Sequence, residues 1–402
     1  MAYDVTAVRQ RFPALKEGAA HFDGPGGSQV PAVVADAVAA TLCSAIANRG
    51  TVTAAERRAD EIVVAARRAA ADLVGGTPDG IVFGRSMTQL TYDISRTLAK
   101  AWGPGDEVVV TTLDHDANIR PWVHAAEASG ATVRWAEFDP DSGELPVAAV
   151  ASLIGDRTRL VAVTGASNLL GTKPDLPAIA GHAHAAGALV YVDGVHLTPH
   201  AVVDMAALGA DFFACSPYKF LGPHLGLVAA RPELLETLRP DKLLPASDAV
   251  PERFELGTLP YELLAGTTAA VDFLSDLVPG DGPRRDRLIA SMRALERHED
   301  ALRERLEAGL AAIQGVVMYG SPQRRRTPTV LFSIEGVPPQ TVYERLGERG
   351  VNAPASSFYA IECSRRLGLG DTGAVRAGIA PYTDEPDVDR LLDGVADIAG
   401  AR

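Results

Sequence analysis

A chain of 402 residues, 47 % hydrophobic and 22 % charged, is long enough to bury a large core and to form two domains. Its formal net charge of −13 disfavours nucleic-acid backbones and anionic membrane surfaces, and no apolar run approaches the roughly 20 residues of a spanning helix. The first residues lack the basic and apolar stretches of a signal peptide, and Cys43, Cys215 and Cys363 make no disulfide or zinc pattern, so the chain reads as a soluble cytoplasmic protein without a metal.

Helical and strand patterns alternate from about residue 55 to 235. A charged, Ala-rich amphipathic helix is expected over 54–73 and a short strand over 80–84, followed by a helix over 88–102. Strands over 107–111, 133–138, 160–164 and 189–192 are separated by helices over 121–129, 146–153 and 176–186. The apolar run 211–215 reads as one more buried strand. Such alternation predicts a mostly parallel sheet covered by helices, with a site at the carboxyl ends of its strands. A long charged helix over 284–315 marks the passage into a second domain, with a strand over 329–334, a helix over 339–349 and a final helix over 386–398. The Pro/Gly-rich stretch 278–283 reads as an exposed loop.

Two features carry chemistry. Asp193 ends an apolar strand, and Lys219 follows a buried strand in the turn Ser216-Pro217-Tyr218-Lys219. A strand-end acid and a later lysine in a Gly/Pro turn point to pyridoxal phosphate. That cofactor needs an amine for its aldehyde and a carboxylate to keep its ring nitrogen protonated. Ser86-Met87-Thr88 lies between a strand and a helix, where free N–H groups suit a phosphate; an ordinary helix N-cap fits the local sequence equally well.

The segments 105–110, 114–118, 167–172 and 253–258, together with Asp193 and Lys219, resemble the class V aminotransferase and cysteine desulfurase superfamily of fold-type I pyridoxal phosphate enzymes. The motifs occur in the same order over about 22–391, and 21–27 is similar to the desulfurase-like subgroup. The resemblance implies an α/β fold with a large domain, its mostly parallel sheet of the seven-stranded type, and a smaller α+β C-terminal domain. The large domain is placed at 21–275 and the small one at 1–20 with 276–402.

The resemblance also implies roles. Lys219 holds the cofactor as an aldimine and then acts as base at Cα. Ser86, Met87, Thr88 and Ser216 serve the phosphate, His115 stacks on the ring, Asp193 faces the ring nitrogen, and His196 and Asn168 lie near the ring hydroxyl. Gly257 and Thr258 reach the phosphate of a partner in a homodimer, and Arg376 grips the carboxylate of an amino acid substrate, with Asn168 and Tyr359 also at the substrate. In desulfurases the loop before that arginine carries a sulfur-accepting Cys. Here its expected position falls near Tyr359, Pro354 stands about where an Arg usually precedes it, and Tyr218 replaces a frequent His beside the lysine. Cys363 lies four residues further on, in what reads as the first turn of a helix, as a small apolar residue. The expected activity is therefore carbon–sulfur bond cleavage of cysteine or an S-substituted cysteine. The alternatives are a desulfurase with a persulfide on Cys363, a class V aminotransferase or epimerase, and a non-catalytic cofactor-binding protein.

Overall fold

The computed structural model describes residues 3–320 and 326–401. Residues 1–2, 321–325 and 402, which the expected small domain includes, lie outside the described residues.

Seven strands form one sheet. Their spatial order is Ile81–Gly84, Gly226–Ala230, Phe212–Cys215, Leu189–Asp193, Thr158–Thr164, Glu107–Thr111 and Thr132–Ala136. All run the same way except Gly226–Ala230, which is antiparallel to both neighbours. The central strands are largely apolar, rich in Val, Leu, Ala and Phe, because helices cover both faces. Alternate side chains leave the pleat in opposite directions. Val161, Val163, Val190, Val192 and Phe213 therefore pack in one core layer, while Leu160, Ala162, Tyr191, Phe212 and Ala214 pack in the other.

Helix Ala54–Val74 opens with a capping box, Thr53 and Glu56 each accepting from the other's backbone N–H, and ends at Gly75 in the left-handed region. Two Ala-rich or apolar helices, Ala32–Leu42 and Tyr261–Ser275, pack against one another, and the second also packs on Ala54–Val74. The expected strand over 133–138 stops at Ala136, because the N–H of Phe138 turns to the Thr112 hydroxyl at 3.3 Å. The expected helices over 88–102 and 146–153 are shorter, Met87–Ala99 and Val147–Ala151.

The long helix Arg284–Ala311 leads to a second, antiparallel sheet of Ala355–Ser356, Ala374–Gly378, Thr329–Ile334 and Val316–Tyr319. Val330, Phe332, Val375 and Ala377 form its own core with Leu391 and Val395 of the last helix, Glu385–Gly400. Strand Ala20–His21 pairs in parallel with Val351–Asn352. Among the described residues no helix is long and apolar enough to cross a membrane.

Candidate active site

A cavity of about 630 Å³ opens where the carboxyl ends of the large sheet meet the small sheet. Pockets of this size take small organic ligands. It gathers Ser86, Met87, Thr88, His115, Asn168 and Asp193. His196, Ser216, Lys219, Tyr359 and Arg376 also line it. Gly257 and Thr258 do not; Thr258 lies on a separate shallow surface beside Gly84, Arg85 and Gln89.

Lys219 ends a short 3₁₀ turn, Pro217–Lys219, whose first residue is a proline with φ preset for the bend. Leu221 follows at φ 71°, a left-handed conformation that a side chain rarely takes, and Gly222 closes the turn on the Pro217 carbonyl at 2.8 Å. The Lys219 amine donates to the Pro25 carbonyl and lies 4.9 Å from the Tyr218 ring centroid. Burial, helped by the charge of Arg376 and opposed by Asp193, pulls its pKa down to about 7. Near neutral pH the amine is therefore divided between base and acid.

Asp193 is buried, and its Oδ1 accepts from the Val195 N–H at 2.9 Å. Burial raises its pKa to about 6, with Lys219 pulling the other way, so it is a carboxylate at neutral pH. Behind it Asp114 accepts from the Thr111 hydroxyl and from Asn118 Nδ2 at 2.7 Å, and burial raises it to about 8. His115 accepts the Ala117 N–H on Nδ1 at 3.0 Å. Burial first, then Lys219 and Arg376, lower its pKa to about 4, so it is a flat neutral ring. His196 shares a hydrogen bond with the Thr329 hydroxyl at 2.9 Å, and burial holds it well below its ordinary value.

Arg376 sits mid-strand in Ala374–Gly378 and is 2 % exposed. Its Nη1 donates to the Asn168 carbonyl at 2.9 Å, and its guanidinium lies 3.7 Å from the Phe358 ring centroid. Asn168 Nδ2 donates to the Phe358 carbonyl at 3.0 Å. Arg376 Nε and Asn168 Oδ1 are buried without a partner. A buried polar atom left unpaired costs about 1–3 kcal/mol, so both atoms are poised for a ligand.

At the turn 86–88, Ser86 Oγ accepts from the Gln89 N–H at 3.1 Å, so its side chain is a helix N-cap. The sequence left N-cap and phosphate donor open; the cap takes the hydroxyl, while the free N–H groups of the first turn remain. Gly226 lets the neighbouring strand approach, since a Cβ there would meet the Ser86 carbonyl carbon at 2.1 Å.

Sequence reasoning gave no role to Pro25, Gly26 or Phe358, all of which line the cavity. The first two belong to the 21–27 motif already noted; Phe358 carries no local signal, because its packing on Arg376 joins segments distant in the chain. Cys363 lies in helix Ile361–Arg366 and is fully buried, with its thiol pushed well up by burial; Cys215 is the same.

The family model for class-V aminotransferases matches residues 20–391. The chain belongs to the class-V aminotransferase family. An uncharacterized protein of Mycobacterium tuberculosis (strain CDC 1551 / Oshkosh) is 35 % identical over 99 % of this chain and 100 % of its own length. A probable cysteine desulfurase of Pseudomonas aeruginosa PAO1 is 31 % identical over 96 % of each chain. The apo structure of a cysteine desulfurase from Thermococcus onnurineus NA1 matches with a TM-score of 0.91 at 25 % identity, covering both chains in full. The fold-type I architecture expected for this class-V member is thus in place.

Proposed function

We propose that this enzyme cleaves the Cβ–S bond of cysteine or an S-substituted cysteine by elimination, releasing the sulfur as free sulfide or thiol. Its family and its desulfurase relatives make it a pyridoxal phosphate-dependent enzyme acting on the carbon–sulfur bond of cysteine. The residues fit that cofactor. A carboxylate, a flat neutral imidazole, a lysine and a helix N-terminus for the phosphate share one cavity with two unpaired buried polar atoms.

Bound there, pyridoxal phosphate supplies an electron sink that makes the substrate Cα–H acidic. The donors at 86–88 and Ser216 would hold its phosphate, His115 would cover the ring, and Asp193 would keep a proton on the ring nitrogen, with His196 and Asn168 near the ring hydroxyl. Arg376 would bind the substrate carboxylate through a guanidinium already fixed by Phe358 and Asn168. Lys219, neutral above about pH 7, would take the Cα proton and return a proton to the departing sulfur. The Cβ–S bond breaks with its electron pair on sulfur, and water then converts the three-carbon fragment to pyruvate and ammonia.

The fate of the sulfur rests on one observation: the loop tip carries Tyr359, and the cysteine that follows it in the chain, Cys363, is buried as a thiol. A sulfur acceptor must be an accessible thiolate. Alkylation and mass spectrometry after turnover test this. The expected result is an unmodified Cys363 and near-normal activity in Cys363→Ser; a persulfide on Cys363 would reject elimination.

A homodimer is part of this reading. Gly257 and Thr258 lie outside their own cavity, flanked by exposed Leu256, as they would if they served a partner's phosphate. A division near 21–275 and 1–20 with 276–402 is supported by the two separate sheets, although His21, paired with Asn352, and Phe22 sit with the small domain and Val8 and Phe12 with the large one.

A further inference from the structure

The cavity that holds Lys219 and Arg376 is also lined by Tyr92, His124 and Tyr359, and the exposed His124 and Tyr359 mark its mouth. The Tyr92 and His124 rings stack with centroids 6.1 Å apart, and the Tyr92 hydroxyl lies 3.4 Å from His124 Nδ1. Opposite them in sequence, the loop before Arg376 presents Tyr359, 76 % exposed. Phe358 and Tyr359 both have positive φ, 51° and 58°. Each such residue costs about 1–3 kcal/mol and persists where the surroundings over-determine it. Here the Asp116 N–H holds the Tyr359 carbonyl at 2.7 Å, and the Tyr359 ring stacks on His115 at 5.6 Å. The strain therefore sets one ring against Arg376 and the next at the mouth.

The mouth also has a charge pattern. The Arg120 Nε lies 2.8 Å from Asp116 Oδ1, and its Nη2 bonds Glu362. Two carboxylates already engage this guanidinium and offset its charge, which disfavours an added anionic group there.

We infer that this mouth receives the substituent on the substrate's sulfur, and that the substrate class is an S-substituted cysteine whose substituent is uncharged and aromatic. The inference rests on the carbon–sulfur cleavage reading. With the carboxylate on Arg376 and Cα at Lys219, the sulfur substituent has to leave through the mouth. Aromatic walls favour a flat group by area and ring geometry, and a thioether sulfur adds a favourable contact at a ring edge. The balanced reaction takes the S-substituted cysteine and one water to the free thiol, pyruvate and ammonia, with no oxidant or reductant.

The holoenzyme is assayed with L-cysteine, S-methyl-, S-benzyl- and S-carboxymethyl-L-cysteine. The expected kcat/KM for the S-benzyl compound is at least tenfold above the S-methyl compound, with the S-carboxymethyl compound lowest. In Tyr92→Ala and in His124→Ala the benzyl-to-methyl ratio should fall at least fivefold, chiefly through KM, and Tyr92→Phe should restore it. Calorimetry on Lys219→Ala, which cannot turn over, should show S-benzylcysteine binding at least fivefold tighter than S-methylcysteine, and Tyr92→Ala in that background should erase the difference. Equal kcat/KM for benzyl and methyl, or a ratio unmoved in folded Tyr92→Ala and His124→Ala, would overturn the inference. If no compound is cleaved, the carbon–sulfur reading fails; equal binding in the calorimeter then overturns the mouth assignment on its own.

Discussion

Lys219 owes its reactivity to its surroundings more than to its identity. An exposed lysine is almost wholly protonated at neutral pH, whereas burial and Arg376 bring this amine to about 7. Neutral amine attacks an aldehyde; ammonium does not. In the cofactor-free protein, the rate of reconstitution with pyridoxal phosphate should therefore rise between about pH 6 and 8 and then level off. A rate still climbing tenfold per unit at pH 9 would contradict the lowered value. Lys219→Ala should lose borohydride-trappable cofactor, and an adduct mapping to Lys173 or Lys242 would displace the assignment. Arg376 is the second residue whose surroundings matter. Its ring contact with Phe358 and its bond to the Asn168 carbonyl fix the guanidinium before substrate arrives. Arg376→Lys keeps the charge and loses the planar fork, so KM should rise by about a hundredfold, the 2–3 kcal/mol of a charged hydrogen-bond pair. A KM within twofold of the parent would remove Arg376 from the carboxylate site.

At the scale of elements, segment 252–255 ties the strap bearing Gly257 and Thr258 to the strand leading into the turn 86–88. Glu255 accepts from Arg67 Nη1 at 2.9 Å and Nη2 at 2.8 Å, and from the Phe83 N–H at 2.9 Å; Arg67 also bonds the Ile81 carbonyl. Both side chains are nearly fully buried. Breaking such a pair strands a charge and costs about 3–5 kcal/mol. Glu255→Gln should lower urea-unfolding stability by that order and weaken cofactor affinity measured by fluorescence. A loss below about 0.5 kcal/mol would show the pair to be incidental. Most strands were legible because burial on both faces demands apolar runs, as in Val108, Val109 and Val110 of 107–111 and Val330, Leu331 and Phe332 of 329–334. The helices Ala32–Leu42 and Tyr261–Ser275 were not, because they are rich in Ala, Val and Leu and lack a clean polar stripe. The reversed strand Gly226–Ala230 is a short apolar run whose direction no local feature encodes. The meeting of Asp193 and Lys219 in one cavity was legible because a strand end and a proline turn mark their positions. The stacking of Phe358 on Arg376, and the burial that silences Cys363, depend on contacts between distant segments.

At the scale of the whole molecule, the exposed Leu243, Leu244 and Leu256 lie on the stretch leading to Gly257 and Thr258, a surface suited to a second copy of the chain. Lys219→Ala and Thr258→Ala should each lose activity alone and regain part of it when mixed, and a monomer in light scattering would reject the shared site. In the proposed reaction sulfur leaves without passing to the protein, and the fate of the carbon skeleton tests this. With cysteine as substrate, keto acid, ammonia, alanine and sulfide are quantified in one reaction of the holoenzyme. Elimination predicts pyruvate, ammonia and sulfide in equal amounts with no alanine; alanine formed one for one with protein-bound sulfur would contradict it.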